Sequence, residues 1–302
     1  MNVICSYQYT LDLGAHPWNT AKYKAVVSML RENASGTTLS FLDAPMAEDE
    51  DILKVHTMSF WKKLVRTCFS AEEEQLLELP ITSDTVNLFW RMAGGTVLAT
   101  EQALRDGICV HIGGGFHHAF PDYGTGFCLI NDIAVGLRSV MHRGLAHRTV
   151  VVDCDLHQGD GTAWIFRDDD DVATFSIHQS HQFPYFMQQS TIDIGLEDGT
   201  RDEVYLDQLE KGLDHLFNEY GPFDLLHYQA RADPYEGDTL GGFLLTESAL
   251  KRRDEMVLER AAACGLPAVV TLGGGYTRDL ADLARIHHNT ILTALTMATK
   301  YR

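Results

Sequence analysis

Three acids and one histidine follow an apolar segment at residues 149–152, and they are Asp153, Asp155, His157 and Asp160. Carboxylates together with an imidazole are the ligands that zinc and similar ions prefer in proteins. If the segment is extended, Asp153, Asp155 and His157 point to the same side, because side chains alternate along a strand. The alternative is a helix start, where acids stabilise the positive end of the helix dipole.

Four further apolar segments also end in a glycine run or in polar groups able to do chemistry. These segments cover residues 108–112, 172–177, 223–228 and 268–272. They lead to His117 and His118, to His178, to Asp233 and to Tyr276, respectively. Ligands of open α/β sheets bind outside the carboxyl ends of the parallel strands. We therefore expect the five segment ends to meet in one crevice, a coincidence that core packing does not require.

One divalent ion is the predicted occupant of that crevice, with Asp155, His157 and Asp233 as its ligands. Two carboxylates and one imidazole neutralise such an ion and leave a position for water, as a catalytic site requires. A second ion would need another acid two residues after the histidine, where the chain has Gly159. Zinc is the first expectation, and two hard carboxylates also suit Fe²⁺.

Two adjacent histidines, His117 and His118, follow a run of three glycines. Both can reach one water molecule if the chain bends between them, and each then needs an acceptor that orients its ring. Asp153 and Asp160 are the nearby acids without another assigned role. The alternative is one histidine in the core and one at the surface.

Tyr276 follows a second run of three glycines. A phenol at this position can donate a hydrogen bond to an oxyanion that develops on a substrate. The alternative is that the three glycines and Tyr276 simply end a strand. Tyr276 therefore indicates catalysis only in combination with the other predicted site residues.

The 302 residues predict a single α/β domain over 1–302, because strand-like and helix-like segments alternate without a linker. Helices are expected over residues 19–31, 48–56, 96–105 (directly after Gly94 and Gly95), 201–220, 246–264 and 278–300. The acidic run at 168–171 is expected to be a solvated turn.

The composition limits the classes of partner and compartment. A net charge of −18 argues against a general electrostatic grip on nucleic acid and weakly favours a cationic substrate. The start of the chain does not resemble a signal peptide, and no apolar run approaches the length of a membrane span. Six scattered cysteines indicate buried thiols in a reducing compartment. We therefore expect a cytoplasmic protein without a membrane or nucleic-acid partner.

Four motifs, in this order, resemble the zinc-dependent histone deacetylase family: GGGFHHAFPDYGTGFCLIND, VVDCDLHQGDGT, ADPYEGDTLGG and GGGY. The resemblance begins at about residue 16 and is strongest to class IV enzymes and to short bacterial relatives. It implies the arginase/deacetylase fold, a three-layer α/β/α domain around a mainly parallel eight-stranded sheet. It also implies hydrolysis of acylated lysine or a related amine, with zinc at the active site and structural potassium.

The resemblance also implies roles for individual residues. The matching metal ligands are Asp155, His157 and Asp233. The matching catalytic residues are His117 and His118 with Asp153 and Asp160, and Tyr276. The substrate tunnel matches at Gly126, Phe127 and Phe183, and Gly274 is expected to bind substrate beside them. A potassium site matches at Asp153, Asp155, His157, Ser176 and Ile177, and a second one at Phe166, Asp169 and Val172.

One departure from the family pattern lies beside the predicted metal. The family usually has glycine two residues before the last metal aspartate, and here that position is Arg231. Glycine at such a position serves an unusual backbone angle or a close contact. The arginine either distorts or shortens the site, lowering its metal affinity, or points away from it.

Three functions remain open at this stage. The leading one is a metal-dependent lysine deacetylase or deacylase. The second is an acetylpolyamine or small-amide hydrolase on the same fold. The third is a weakly active module that binds acyl-lysine and is disabled by Arg231. The partner is accordingly an acylated lysine in a protein or peptide, or a small acylated amine. The acyl length and the oligomeric state are left open.

Overall fold

A computed structural model describes residues 1–32 and 39–301 of the chain. Its centre is one sheet of eight strands in the order β2-β1-β3-β8-β7-β4-β5-β6, and every neighbouring pair is parallel. The strands are β1 (Asn2–Cys5), β2 (Ser40–Asp43), β3 (Ile108–His111), β4 (Thr149–Asp153), β5 (Val172–Gln179), β6 (Ile192–Leu196), β7 (Leu225–Gln229) and β8 (Ala268–Thr271). The predicted mainly parallel eight-stranded sheet is confirmed.

The carboxyl ends of the central strands are level with one another. Asp153 of β4 lies beside Gln229 of β7 and Ser176 of β5. Thr271 of β8 in turn lies between Gln229 and His111 of β3. The loops that leave these strands therefore start from one edge of the sheet, where the side chains singled out above can meet.

Eight of the helices form two groups, and the helices of each group pack against one another. The helices are α1 (Ala21–Glu32), α2 (Asp49–Ile52), α3 (Met58–Arg66), α4 (Ala71–Leu77), α5 (Ser83–Asp106), α6 (Asp132–His142), α7 (Asp160–Phe166), α8 (Asp202–Glu219), α9 (Glu247–Ala263) and α10 (Leu280–Ala298). Helices α2, α5, α6 and α7 contact one another in one group, and α1, α10, α9 and α8 in the other. The sheet with its two helix groups forms the predicted three-layer α/β/α arrangement.

Side-chain caps mark where several helices begin. Thr57, Thr82, Asn131 and Thr246 each accept a hydrogen bond from a backbone N–H in the first turn of the helix that follows. Such caps satisfy donors that have no partner within the helix. The cap at Asn131 starts α6 directly behind the loop that contains the two adjacent histidines.

The prediction for α5 is wrong at its start. The helix begins at Ser83 and contains Gly94 and Gly95 in its interior, both buried. A Cβ on Gly94 would collide with backbone atoms of residues 45–47, and one on Gly95 would collide with the Tyr9 and His111 side chains. The two glycines thus allow close packing and do not start a helix. The predicted helix at 48–56 is also shorter, because only Asp49–Ile52 is helical.

Several elements have no counterpart among the predictions. These elements are the strands β1, β2 and β6 and the helices α3, α4, α6 and α7. The acidic run at 168–171 does form a turn with mostly exposed residues. Cys109, Cys128 and Cys154 are buried as expected, whereas Cys68 and Cys264 are exposed. Within residues 1–32 and 39–301, no helix is long and apolar enough to cross a bilayer.

Candidate active site

The segment after β4 is shaped by its own carboxylates. Oδ1 of Asp153 accepts the N–H of Asp155 at 3.0 Å, and Oδ1 of Asp155 accepts the N–H of His157 at 2.6 Å. Asp233, from the loop after β7, accepts the N–H of Leu156 with its Oδ1 at 3.2 Å. These bonds join two strand ends and fix the directions of the three predicted metal ligands.

The three predicted ligands form a group that suits one metal ion. Asp155, His157 and Asp233 each offer one donor atom, and these atoms all lie within 4.8 Å of one another. Nδ1 of His157 is 3.0 Å from Oδ1 of Asp155. Nε2 of His117 is buried without a hydrogen-bond partner among the described residues, and it lies 3.5 Å from Oδ2 of Asp155. Buried polar atoms of this kind call for an explanation, and a bound ion or its water is a sufficient one. In number, chemistry and burial, the donor set fits a zinc-type ion.

The two adjacent histidines each donate a hydrogen bond to a different carboxylate. Nδ1 of His117 donates to Oδ2 of Asp153, and Nδ1 of His118 donates to Oδ1 of Asp160, both at 2.7 Å. The imidazole centroids are 4.0 Å apart. Because Nδ1 is used in each ring, Nε2 is the nitrogen left to face a reacting group. The structure thus brings together the four residues that the sequence paired.

The adjacent imidazoles differ in proton affinity although their partners are alike. Burial disfavours the charged form of His117, but Asp153 and Asp155 outweigh burial and raise the pKa of this histidine. Burial, and after it the charge of His117, lowers the pKa of His118 to about 4. Neighbouring charges therefore separate two chemically identical side chains.

The position of the histidine loop depends on two residues that the sequence did not single out. Asp132 accepts the N–H groups of Gly115 at 2.9 Å and of Phe116 at 2.7 Å. The amide of Asn131 donates to the carbonyl of Ala119 at 3.1 Å. Both residues are fully buried at the start of α6. Two consecutive polar residues that introduce an apolar helix were the available signal, since buried polar groups are held by partners.

The predicted tunnel residues lie around the histidines and the tyrosine. Gly126 has a φ of +52°, and a Cβ there would lie 2.6 Å from a ring carbon of Phe183. The ring of Phe183 is 4.8 Å from that of His118, edge to face, and the ring of Phe127 is 5.8 Å from that of Tyr276. Glycine at 126 therefore combines an uncommon backbone angle with close ring contact.

Tyr276 is held through its backbone. Its N–H donates to Oδ2 of Asp238 at 2.6 Å, and the hydroxyl of Thr239 donates to its carbonyl at 2.6 Å. Burial raises the pKa of the Tyr276 phenol well above its usual value, so the hydroxyl keeps its proton. Asp238 and Thr239 were not predicted as functional residues, although they lie in the ADPYEGDTLGG motif.

A buried lysine supports the glycine run before Tyr276. Nζ of Lys22 donates to the carbonyl of Gly274, whose own φ is +56°. Burial, and after it the charge of Arg231, lowers the pKa of Lys22 to about 7. The signal in the sequence was a lysine on the same helical face as Val26 and Leu30, four and eight residues later.

Arg231 lies inside the site. Its side chain is only 5% exposed, and its Nε contacts Oδ2 of Asp155 and, at 3.3 Å, Oδ2 of Asp233. Nη1 donates to the carbonyl of Gly115 at 3.1 Å, and Nη2 donates to the hydroxyl of Tyr276 at 3.3 Å. The alternative in which Arg231 points away from the site is therefore wrong.

The arginine changes the electrostatics of the predicted ligands without straining the backbone. Burial alone would raise the pKa of Asp155, but Arg231 and His117 hold it well below its usual range. Burial and the charge of Asp155 raise the pKa of Asp233, in spite of Arg231. Among the described residues, only Thr67, Glu78, Phe127 and His181 combine a side chain with a positive φ. Position 231 thus does not need the unusual angle expected for glycine.

Three residues of the first predicted potassium site lie on adjacent strands, and the other two, Asp155 and His157, lie in the segment after β4. Asp153 at the end of β4 is in register with Ser176 of β5, with Ile177 next in that strand. At the second predicted site, the carbonyls of Phe166 and Asp169 accept the N–H groups of Asp169 and Val172, respectively, in a turn. Both potassium sites stay predictions.

Comparisons with known proteins identify the family to which the chain is similar. The family model described as "Histone deacetylase domain" matches residues 16–292. An uncharacterised protein of Picosynechococcus is 40% identical over 77% of each chain. Histone deacetylase 8 of Xenopus tropicalis is 30% identical over 83% of this chain and 71% of its own. Histone deacetylase 2 of Arabidopsis thaliana is 27% identical over 88% of this chain and 71% of its own.

A solved structure has the same architecture. The crystal structure of a histone deacetylase homologue from Aquifex aeolicus superposes with a TM-score of 0.80 and covers 99% of this chain and 83% of its own. The two sequences are 23% identical, so the likeness concerns the fold. The predicted arginase/deacetylase architecture is confirmed.

Proposed function

The chain belongs to the histone deacetylase family, and we propose that it removes acyl groups from lysine side chains with the help of one divalent metal ion. Amide hydrolysis of the deacetylase type follows from the family. The observation that most directly supports the proposal is that two histidine–carboxylate pairs lie against one group of three metal donors. This combination supplies both proton transfer and a place for an activating ion.

Asp155, His157 and Asp233 would hold the ion through two carboxylates and one imidazole. When bound, zinc or Fe²⁺ supplies Lewis acidity that polarises the amide carbonyl and lowers the pKa of water. The remaining work falls to the chain's own side chains, which must move protons, stabilise charge and position the substrate.

His117 and His118 together take a proton from the attacking water and return one to the leaving amine. Their carboxylate partners keep Nδ1 occupied, so each ring works through Nε2. His118 is next to the predicted tunnel, because its ring contacts Phe183. We therefore expect loss of His118 to affect proton transfer to the leaving amine.

Tyr276 donates a hydrogen bond to the oxygen on which negative charge develops. Its phenol keeps its proton under all ordinary conditions, since burial raises its pKa. The bonds from its backbone to Asp238 and Thr239 hold the residue in place before substrate arrives. Phe127 and Phe183 provide apolar walls for the alkyl part of the acylated side chain.

A panel of substrates tests the proposal. Acetyl-, butyryl- and myristoyl-lysine peptides and acetylputrescine are incubated with the protein, with and without a chelator, and the released amine is measured. We expect turnover of at least one lysine peptide and its loss with the chelator. Turnover of acetylputrescine alone would replace lysine with a small amine as substrate, and chelator-resistant turnover would contradict the metal-dependent mechanism.

A second candidate is an acyl-lysine-binding module with little activity. It is favoured by Arg231, whose guanidinium contacts two of the predicted metal ligands. In the same panel, this module would bind a labelled acyl-lysine peptide in a fluorescence-polarisation assay and release no amine, even with zinc added. Turnover with added zinc would exclude it.

A further inference from the structure

Each of the two predicted carboxylate ligands has one oxygen engaged by the chain and one that faces Arg231. Oδ1 of Asp155 accepts the N–H of His157, and Oδ1 of Asp233 accepts the N–H of Leu156. The other oxygen of each, Oδ2, contacts Nε of Arg231. The oxygens most available to a cation are therefore already paired with one.

We propose that Arg231 and a divalent ion compete for the same two carboxylate oxygens, so that Arg231 is an internal competitor that weakens metal binding. The inference rests on the metal-dependent function proposed above and says how this chain departs from it. Two carboxylates neutralise one divalent ion, so a guanidinium that remains in place adds an uncompensated buried charge. Two cations at such short range also repel strongly where water is excluded.

The groups packed around Arg231 leave its guanidinium little space to move away from the two carboxylates. A Cβ on Gly273 or on Gly274 would collide with its atoms, so the glycine run is packed against it. The cavity bounded by Arg231, Phe127 and Tyr276 has a volume of about 10 Å³, about the room that one water needs. A metal ion can therefore displace the guanidinium only if Arg231 gives up its bonds to Gly115 and Tyr276 and the surrounding side chains rearrange.

Competitive titration of zinc against a chromogenic chelator tests the inference. The proteins are the wild-type chain and the variants Arg231→Gly, Arg231→Gln and Arg231→Lys, and the probe is zinc alone. We expect the glycine and glutamine variants to bind zinc at least tenfold more tightly than the wild type. The lysine variant keeps a positive charge that repels the ion, and its zinc affinity is expected to stay within about threefold of the wild type.

Arg252→Gln is the matched control for net charge. Arg252 lies on an exposed face of α9, where it pairs with Glu255 and Glu259, and it contacts no predicted ligand. Its replacement removes the same positive charge from the chain and should leave zinc affinity unchanged. Affinities within twofold for wild type, Arg231→Gly and Arg231→Gln would overturn the competition. So would a tight-binding Arg231→Lys, because it would remove charge as the cause.

A measurement on the wild-type chain does not depend on how the variants fold. In a crystal structure with zinc bound at the three ligands, we expect Nε of Arg231 to have left Oδ2 of Asp155. Zinc bound with that contact intact would overturn the inference. Failure of every variant to bind zinc would instead remove the metal-dependent function itself, and the inference with it.

Discussion

Two buried arginines, Arg231 and Arg253, lie next to each other in the fold. Their carboxylate partners differ in the other hydrogen bonds that they accept. Arg253 of α9 donates to Asp254 from Nε at 3.0 Å and from Nη2 at 2.8 Å. Asp254 also accepts hydrogen bonds from Tyr228 and Thr290, both at 2.6 Å. Arg231 pairs instead with Asp155 and Asp233, whose paired oxygens have no other hydrogen-bond donor among the described residues.

The difference is between an ion pair whose acceptors are satisfied within the protein and an ion pair that occupies oxygens of the predicted metal ligands. Around Arg253 every participant is satisfied by the protein, and the guanidinium also donates to the carbonyl of Arg231 at 2.7 Å. Around Arg231 the same type of pair occupies atoms that a ligand would use. Replacing one partner of each pair should therefore affect stability alone at the first site, and both metal binding and stability at the second.

The largest expected effect follows from removing a carboxylate at each site. Asp233→Ala should abolish measurable zinc binding and turnover, because only Asp155 and His157 would remain as donors. Asp254→Ala should keep the full zinc stoichiometry. Metal analysis of the purified proteins, with a chelator titration, measures both. An Asp233→Ala protein that still binds one zinc would show that Asp233 is not a ligand.

The effect of zinc on the free energy of unfolding should differ between variants of Arg253 and of Arg231. Arg253→Met should lower the free energy of unfolding by about 3–5 kcal/mol, because Asp254 is left as an uncompensated buried charge. Added zinc should not restore that loss. Arg231→Gln should also destabilise the zinc-free protein, and zinc should restore its stability, since the ion replaces the lost cation. Denaturant unfolding with and without zinc measures the difference, and equal rescue of both variants would contradict the comparison.

Turnover should also depend on His118 and Tyr276, which belong to neither of the two arginine–carboxylate pairs. His118→Ala and Tyr276→Phe should each reduce turnover by about 10²-fold or more, the usual size of proton-transfer and oxyanion effects. Both variants should keep their circular-dichroism spectrum and zinc stoichiometry. A variant with wild-type turnover, on a substrate that the wild type hydrolyses, would exclude that residue from the mechanism.

The smallest expected effect is the dependence of stability on pH. Neither guanidinium titrates in the accessible range, so this dependence comes from buried histidines. Burial lowers the pKa of His56 to about 4 and those of His111 and His227 to about 3. Their pKa values are thus higher in the unfolded chain, which binds more protons, so stability is full above pH 6.5 and falls as pH decreases toward the folded values. Each histidine should cost about 1 kcal/mol between pH 7 and pH 5.5.

The variant His56→Gln isolates one such contribution. Nε2 of His56 accepts the N–H of Asn131 at 3.1 Å, and the glutamine oxygen can accept the same bond. The free energy of unfolding of this variant, measured from pH 5.5 to 7, should have a smaller slope than that of the wild type. An unchanged slope would mean that His56 is not a buried neutral histidine.

Much of the fold was predictable from the sequence because buried parallel strands have a simple pattern. The valine-rich segment of β4 and the apolar segments of β3, β5, β7 and β8 are central and buried on both faces. The edge strands β2 and β6 have few buried residues, so their sequences give a weaker signal. The start of α5 was missed because glycine normally weakens a helix, whereas here close packing requires it.

For the candidate site, the sequence could predict which loops meet but not the side-chain directions. Once parallel strands end level, the histidine loop, the segment after β4 and the loop after β7 must lie together. Whether Arg231 turned inward or outward depended on space beside Gly273 and Gly274 and on acceptors from distant loops. Lys22 was hidden for a similar reason, since its acceptor is 252 residues away along the chain.

The backbone conformation at position 231 has a consequence for the evolution of such a protein. Its φ is not positive, and Arg253 donates a hydrogen bond to its backbone carbonyl and not to its side chain. Glycine and arginine can therefore both adopt the backbone angle found there, and their codons differ by as little as one base. If Arg231 competes with the metal ion as proposed above, one mutational step converts an ion-paired site into a metal-binding one, and one step reverses the change.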